Sequence, residues 1–177
     1  LSYNGWSNLI EANQKKLNFL EENLYNKLKK ELNRIRDLWP KDLPSGIIHA
    51  DLFPDNVLFL NNKVSGLIDF YFSCNDFFAY DLSICINAWC FNKENKFSKE
   101  IFKSLLKGYQ ELKPLTDSEL ENLPVLCSGS ALRFLLTRVD NWNSSNEVDI
   151  VNYQDPKEFL SRLKFHEQIN NIEDYGL

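Results

Sequence analysis

The run Leu82-Ser-Ile-Cys-Ile-Asn-Ala-Trp-Cys-Phe91, opened by Asp81, is apolar almost all round and carries no charged side chain. A helix without a polar face has to be covered on every side. This segment is therefore expected to be a helix in the centre of the domain, with other elements packed around it. Tyr80, Trp89 and Phe91 sit at helical spacing beside Leu82, Ile84 and Ile86 and read as part of the same core.

Several covering helices are legible from spacing and punctuation. Between about Ser7 and Leu38, Leu17, Leu20, Leu24, Leu28, Leu32 and Ile35 recur in steps of three and four, one stripe of a single long helix closed by Pro40 and Pro44. Lys15, Lys16, Lys27, Lys29 and Lys30 fall mostly off that stripe, interleave with Glu21, Glu22 and Glu31, and read as a solvated face. Ser98 is placed to cap a helix running through Leu112, and Thr116-Asp-Ser-Glu119 is a capping-box sequence. Pro124 is expected to interrupt the helix opened there, with a second apolar stripe from Val125 to Trp142. Asn143 to Tyr153 is polar and aperiodic, a surface loop. Asp155-Pro156-Lys157-Glu158 then supplies an N-cap, a proline at the first helical position and an acid at the third, opening a helix to about Asn170.

Strand signals are confined to Ile47-Ile48, Val57 to Leu60 and Val64 to Ile68, the last two joined by a turn at Asn61-Asn62-Lys63, with Gly46 and Gly66 punctuating the stretch. The expected fold class is α+β, predominantly α-helical, with one small hairpin carrying the polar chemistry. At 177 residues and 44% hydrophobic content the chain can bury one sizeable core. A formal charge of −5 leaves no basic field, which argues against nucleic acid or an anionic membrane as the main partner. There is no 18-residue apolar run and no signal-like opening, so the cytoplasm is the expected address. Cys74, Cys85, Cys90 and Cys127 form no Cys-x-x-Cys pair, and three of them lie among apolar neighbours that suit buried thiols. Methionine is absent and the chain opens on Leu1, so a piece of a longer polypeptide is expected.

The chemistry is concentrated in His49-Ala-Asp51-Leu-Phe-Pro-Asp-Asn56 and in Leu-Ile-Asp69-Phe, with Asp69 thirteen positions after Asn56. A hydroxyl attacking a phosphoryl group needs a carboxylate to orient and deprotonate it, and a divalent cation to carry the charge of the transferring phosphate. Asp51 suits the first task, and Asn56 with Asp69 the second. A His-x-Asp triplet alone recurs by chance. Here an Asn follows the Asp by five, Pro54 stiffens the loop between them, a strand pair follows, and an Asp closes an apolar strand.

These residues resemble the catalytic segment of the protein-kinase-like superfamily, whose His-Arg-Asp-x-x-x-x-Asn and Asp-Phe-Gly motifs they echo. Ala50 in place of the arginine and Tyr71 in place of the glycine make the chain similar to the aminoglycoside phosphotransferase and choline kinase branch. Gly46 to Val57, Ser65 to Phe91 and Gly129-Ser-Ala-Leu-Arg-Phe-Leu-Leu-Thr-Arg138 resemble, more narrowly, bacterial homoserine kinases of that branch. The resemblance spans the whole chain but only the C-terminal lobe of the family's fold.

The resemblance implies roles. Asp51 matches the catalytic base, and Asn56 and Asp69 the Mg²⁺ ligands that bridge the phosphates of ATP. His49 matches a loop-ordering residue, and Asp81 an acid that braces the catalytic loop or caps the central helix. For L-homoserine, Asn75 and Asp76 are candidates to meet the ammonium, and Arg133 or Arg138 the carboxylate. The two arginines are five apart, about 140° around a helix, so they are not expected to serve one carboxylate together. Transfer would be direct and in-line, giving O-phospho-L-homoserine and ADP without a covalent enzyme intermediate. The glycine loop and strand lysine of the N-terminal nucleotide lobe are not found here, so that lobe is the expected missing partner, and this lobe alone is expected to turn over negligibly. Two alternatives stay open: a kinase for choline, an aminoglycoside or another amino alcohol, and a non-catalytic binding lobe.

Overall fold

In a computed structural model, residues 3–142 and 155–177 are described; the surface-loop reading of Asn143 to Tyr153 falls outside them. At the centre lies helix α4 (Phe78–Trp89), in which every residue from Leu82 to Asn87 is buried. The fold is α+β and predominantly helical, as the sequence predicts. Against α4 runs α6 (Asp117–Asn141), whose Leu132, Leu135, Leu136 and Val139 are fully buried. Each such side chain contributes about 1.5–3 kcal/mol by leaving water.

The single N-terminal helix expected from the leucine stripe is instead three: α1 (Tyr3–Ala12), α2 (Gln14–Leu20) and α3 (Leu24–Leu38). The stripe is nevertheless continuous, because Leu17, Leu24, Leu28, Leu32 and Ile35 all enter one core with α6 and α7 (Pro156–His166). The breaks occur at asparagines. Asn13 is buried and its amide donates to Leu9 O (3.0 Å) and to Asp140 Oδ1 (2.9 Å). Glu21, extended at φ −153° and ψ 139°, ends α2, and Asn23 adopts a left-handed backbone, φ 59°, that aims the next helix.

Pro124 does not interrupt α6, which continues through it to Asn141. A proline there forfeits one backbone hydrogen bond; Leu123, Pro124, Val125 and Leu126 are all buried, and that packing holds the turn together. The local start signals are occupied as read. Ser98 accepts from Ile101 N–H at the head of α5 (Lys99–Leu112), Thr116 and Glu119 form a reciprocal capping box, and Asp155 accepts from Lys157 N–H ahead of Pro156. The last helix ends at His166, short of the expected Asn170, and a 3₁₀ turn over Ile172–Tyr175 follows.

Two small antiparallel ladders carry the polar segment. Strands β2 (Val57–Leu60) and β3 (Lys63–Leu67) form the expected hairpin, with Asn61 and Asn62 both at positive φ (49° and 59°), the twist such a two-residue turn requires. The other ladder was not foreseen: β1 (Ser45–Ile48) pairs with β4 (Cys74–Phe77), so the chain leaves β1, makes the loop and hairpin, and returns beside it. Cys85, Cys90 and Cys127 are buried, Cys74 is exposed, and all four are free thiols.

A buried polar seam ties α4 to α6 and α7. Asn87 Nδ2 donates to Ser130 Oγ (2.9 Å) and to Cys127 O (3.0 Å), leaving its Oδ1 to accept from His166 Nε2 (3.1 Å). His166 Nδ1 then accepts from the Tyr175 hydroxyl (2.8 Å). Burial, assisted by the Arg162 guanidinium, pushes the His166 pKa down to about 3. The unfolded chain takes up a proton near pH 6.5 while the folded one does not, so the contribution of neutral His166 is full above pH 6.5 and is lost as pH falls toward 3. Replacing His166 by Gln should flatten the acid limb of stability between those pH values by a few kcal/mol, on the order set by the shift. Denaturant unfolding of both proteins at pH 7 and pH 4 reads this directly; parallel losses in the two would refute it.

Candidate active site

The loop from His49 to Leu52 begins where β1 ends, and almost every backbone polar group in it is held by a side chain. Asp81, on the first turn of α4, accepts the N–H of His49 at Oδ2 (3.1 Å) and that of Ala50 at Oδ1 (2.8 Å). Asp51 N–H donates to His49 Nδ1 (3.2 Å), so His49 Nε2 carries the ring proton and donates to Ile68 O (2.9 Å). With both nitrogens engaged, and Phe70 packed on its ring at 4.6 Å, His49 ties the Asp51 loop to the strand end that presents Asp69. The three consecutive carbonyls are taken as well: Ala50 O by Arg133 Nη1 (2.9 Å), Asp51 O by Asn56 Nδ2 (2.8 Å) and Leu52 O by Trp89 Nε1 (2.8 Å).

This network holds a strained backbone. Ala50 sits at φ 63°, a left-handed conformation that costs an alanine about 1–2 kcal/mol. Asp69 is left-handed too, at φ 59°. Non-glycine residues held this way are over-determined by their surroundings and concentrate at functional sites. Asn56 links the two halves again, since its carbonyl accepts from Ile68 N–H (3.1 Å).

Asp51, Asn56, Asp69 and Arg133 line one cavity of about 290 Å³, together with Asp55, Thr137 and Asn141. The Asp51 carboxyl is pushed above its ordinary range by burial, with the Arg133 cation pulling it back and the Asp69 carboxylate pushing further. Asn56 Nδ2 also reaches Asp51 Oδ2 (3.3 Å), which leaves the amide oxygen of Asn56 as its unspent donor to a metal. One carboxylate and one amide oxygen are hard ligands of the kind Mg²⁺ takes when nucleotide phosphates and water complete its shell. Among the described residues there is no cluster of three or more His, Cys, Asp and Glu able to hold an ion alone. The donor set at Asn56 and Asp69 therefore fits a cation shared with a substrate.

The other sequence candidates are placed elsewhere. Asp76 lies on β4 opposite Gly46 and lines a separate cavity with Trp39 and Tyr80, while Asn75, opposite Ile47, is exposed. Arg138 is engaged by the Glu158 carboxylate and by Asp155 O (3.2 Å), and it stacks on Phe159 at 4.5 Å. Of the two arginines, only Arg133 lines the cavity that holds Asp51. Thr137 and Asn141 went unnoticed in the sequence although a signal existed: Arg133, Thr137 and Asn141 are each four apart, one polar stripe of α6. Trp89, read as core, is half-buried and hydrogen-bonded to the loop; nothing local in the sequence marks it.

Beside the site, strand β1, the hairpin and the 3₁₀ turn over Phe70–Phe72 expose apolar side chains: Ile47 is 76% exposed, Phe59 56%, Leu60 66% and Tyr71 86%. Large exposed apolar side chains are the kind of surface that other protein or ligand covers.

The sequence model of the phosphotransferase enzyme family matches residues 4–115. The chain is 49% identical over 177 residues to homoserine kinases of Agrobacterium fabrum and Rhizobium johnstonii, covering 100% of this chain and 55% of each relative. It is 46% identical over 177 residues to a homoserine kinase of Rhizobium meliloti, covering 100% of this chain and 54% of that protein. The chain thus spans about half the length of the curated relatives it matches. No helix among the described residues is long and apolar enough to cross a membrane.

Proposed function

We propose that this chain, which belongs to the phosphotransferase enzyme family, is the C-terminal, catalytic-loop-bearing lobe of a kinase that transfers the γ-phosphoryl group of ATP to the hydroxyl of L-homoserine. The observation that carries the reading is the convergence of Asp51, Asn56 and Asp69 on one cavity, in a chain 49% identical to homoserine kinases. The pathway such a reaction serves is threonine biosynthesis, and the expected compartment is the cytoplasm.

In this reading Asp51 accepts the hydroxyl proton as the substrate oxygen bonds to the γ-phosphorus and the bond to the ADP oxygen breaks. O-phospho-L-homoserine and ADP leave. Burial of Asp51 favours its protonated product state, while Arg133 favours the carboxylate that begins the step. A bound Mg²⁺ supplies positive charge to the phosphates, and Asn56 with Asp69 are the residues that would hold it. Arg133 is the cation among the cavity-lining residues and the candidate for the substrate carboxylate. We assign the exposed apolar surface around Ile47, Phe59 and Tyr71 to contact with the N-terminal nucleotide lobe of the same enzyme.

The test is ATP-dependent phosphorylation of a panel comprising L-homoserine, choline and an aminoglycoside, by the full-length protein and by these 177 residues alone. The full-length protein should prefer L-homoserine, and the isolated lobe should turn over negligibly. Preference for another acceptor would replace the substrate assignment, and substantial turnover by the lobe would remove the argument for a separate nucleotide lobe.

A further inference from the structure

We propose that Trp89 is a positioning residue for Asp51, and that α4 acts as a two-point rail for the catalytic loop. The proposal rests on the functional reading above. Asp81, on the first turn of α4, takes the N–H groups of His49 and Ala50, and Trp89, its last residue, donates to Leu52 O (2.8 Å). Asp51 stands between these anchors. Each end of the loop therefore meets one end of the helix.

The two anchors do different work. Asp81 supplies acceptors to the strained Ala50 segment before Asp51, whereas Trp89 fixes the carbonyl after it. Rotation of the Asp51 side chain about the loop axis is thereby opposed from both sides. Without the indole N–H, Leu52 O loses its side-chain donor, and the Leu52–Phe53 peptide, whose N–H donates to Asp51 O (2.8 Å), is free to tilt. A tilt of that peptide displaces the Asp51 carboxylate relative to the attacking hydroxyl. Misplacement by about 1 Å at a reacting group costs up to 10²-fold in rate. Trp89 does not line the cavity that holds Asp51, so its effect should fall on kcat and not on substrate affinity.

The experiment replaces Trp89 in the full-length enzyme by Phe, and by β-(3-benzothienyl)alanine, which keeps the indole outline but lacks the N–H. Both variants should lose about ten-fold in kcat, with the KM values for L-homoserine and MgATP within two-fold of the parent. The benzothienyl variant should keep the parent's melting temperature. Unchanged kcat in the benzothienyl variant, or a loss confined to melting temperature or KM, would overturn the proposal. Asp51→Asn is assayed alongside to separate the two layers. If the parent enzyme fails to phosphorylate L-homoserine, or Asp51→Asn stays active, the functional reading falls; if those controls behave and the Trp89 variants match the parent, only the rail does.

Discussion

Full-length enzyme carrying Asp51→Asn should lose about 10²–10⁴-fold in kcat, the range that removal of a general base produces. The amide keeps the size and much of the hydrogen bonding of the carboxylate but cannot take up the substrate proton. Stability should move in the opposite direction. Burial raises the Asp51 pKa in the folded state, so above the unfolded value the ionised carboxylate is a cost to the fold, and a neutral amide removes it. A variant that is inactive yet melts at or above the parent's temperature is the expected result. It would mark Asp51 as a residue kept for chemistry against stability. Parent-like turnover would end its assignment as the base, and a large fall in melting temperature would show that its role is mainly in folding.

Asp81→Asn should be damaging for a different reason. Each carboxylate oxygen of Asp81 accepts one loop N–H, and an amide can replace only one of them, setting its own N–H group against the other donor. Hydrogen bonds to a charged acceptor contribute about 1.5–3 kcal/mol each, so the loss should be about 2–4 kcal/mol. Because the lost contact holds Ala50 at φ 63°, activity should fall with stability. Denaturant unfolding and kcat measured on the same preparation give both quantities. Full stability with full activity would mean that Arg133, Asn56 and Trp89 suffice to hold the loop.

The features legible in the sequence are those encoded within a few residues. Ser98, Thr116 with Glu119, and Asp155 announce helix starts because a cap is a contact between neighbours in the chain. Asn61-Asn62 announces the hairpin because asparagine tolerates the left-handed backbone that the turn needs. The all-apolar run at Leu82 to Phe91 announces the central helix. The convergence of Asp51, Asn56 and Asp69 was legible for the same reason, since a short loop and one hairpin span the interval between them.

Contacts between distant segments were a different matter. The break at Asn13 depends on Asp140, and the pairing of β1 with β4 joins two four-residue runs that lack strand alternation in the sequence. Arg133 meets Ala50 across 83 residues and Trp89 meets Leu52 across 37. Neither arginine nor tryptophan announces which carbonyl it will face. Residue order by itself determined the central helix, the hairpin, the helix caps and the three oxygen-bearing side chains. Only the tertiary structure decided which arginine enters the cavity and how the loop backbone is held, because a buried carbonyl takes whichever donor the packing of α4 and α6 brings within reach.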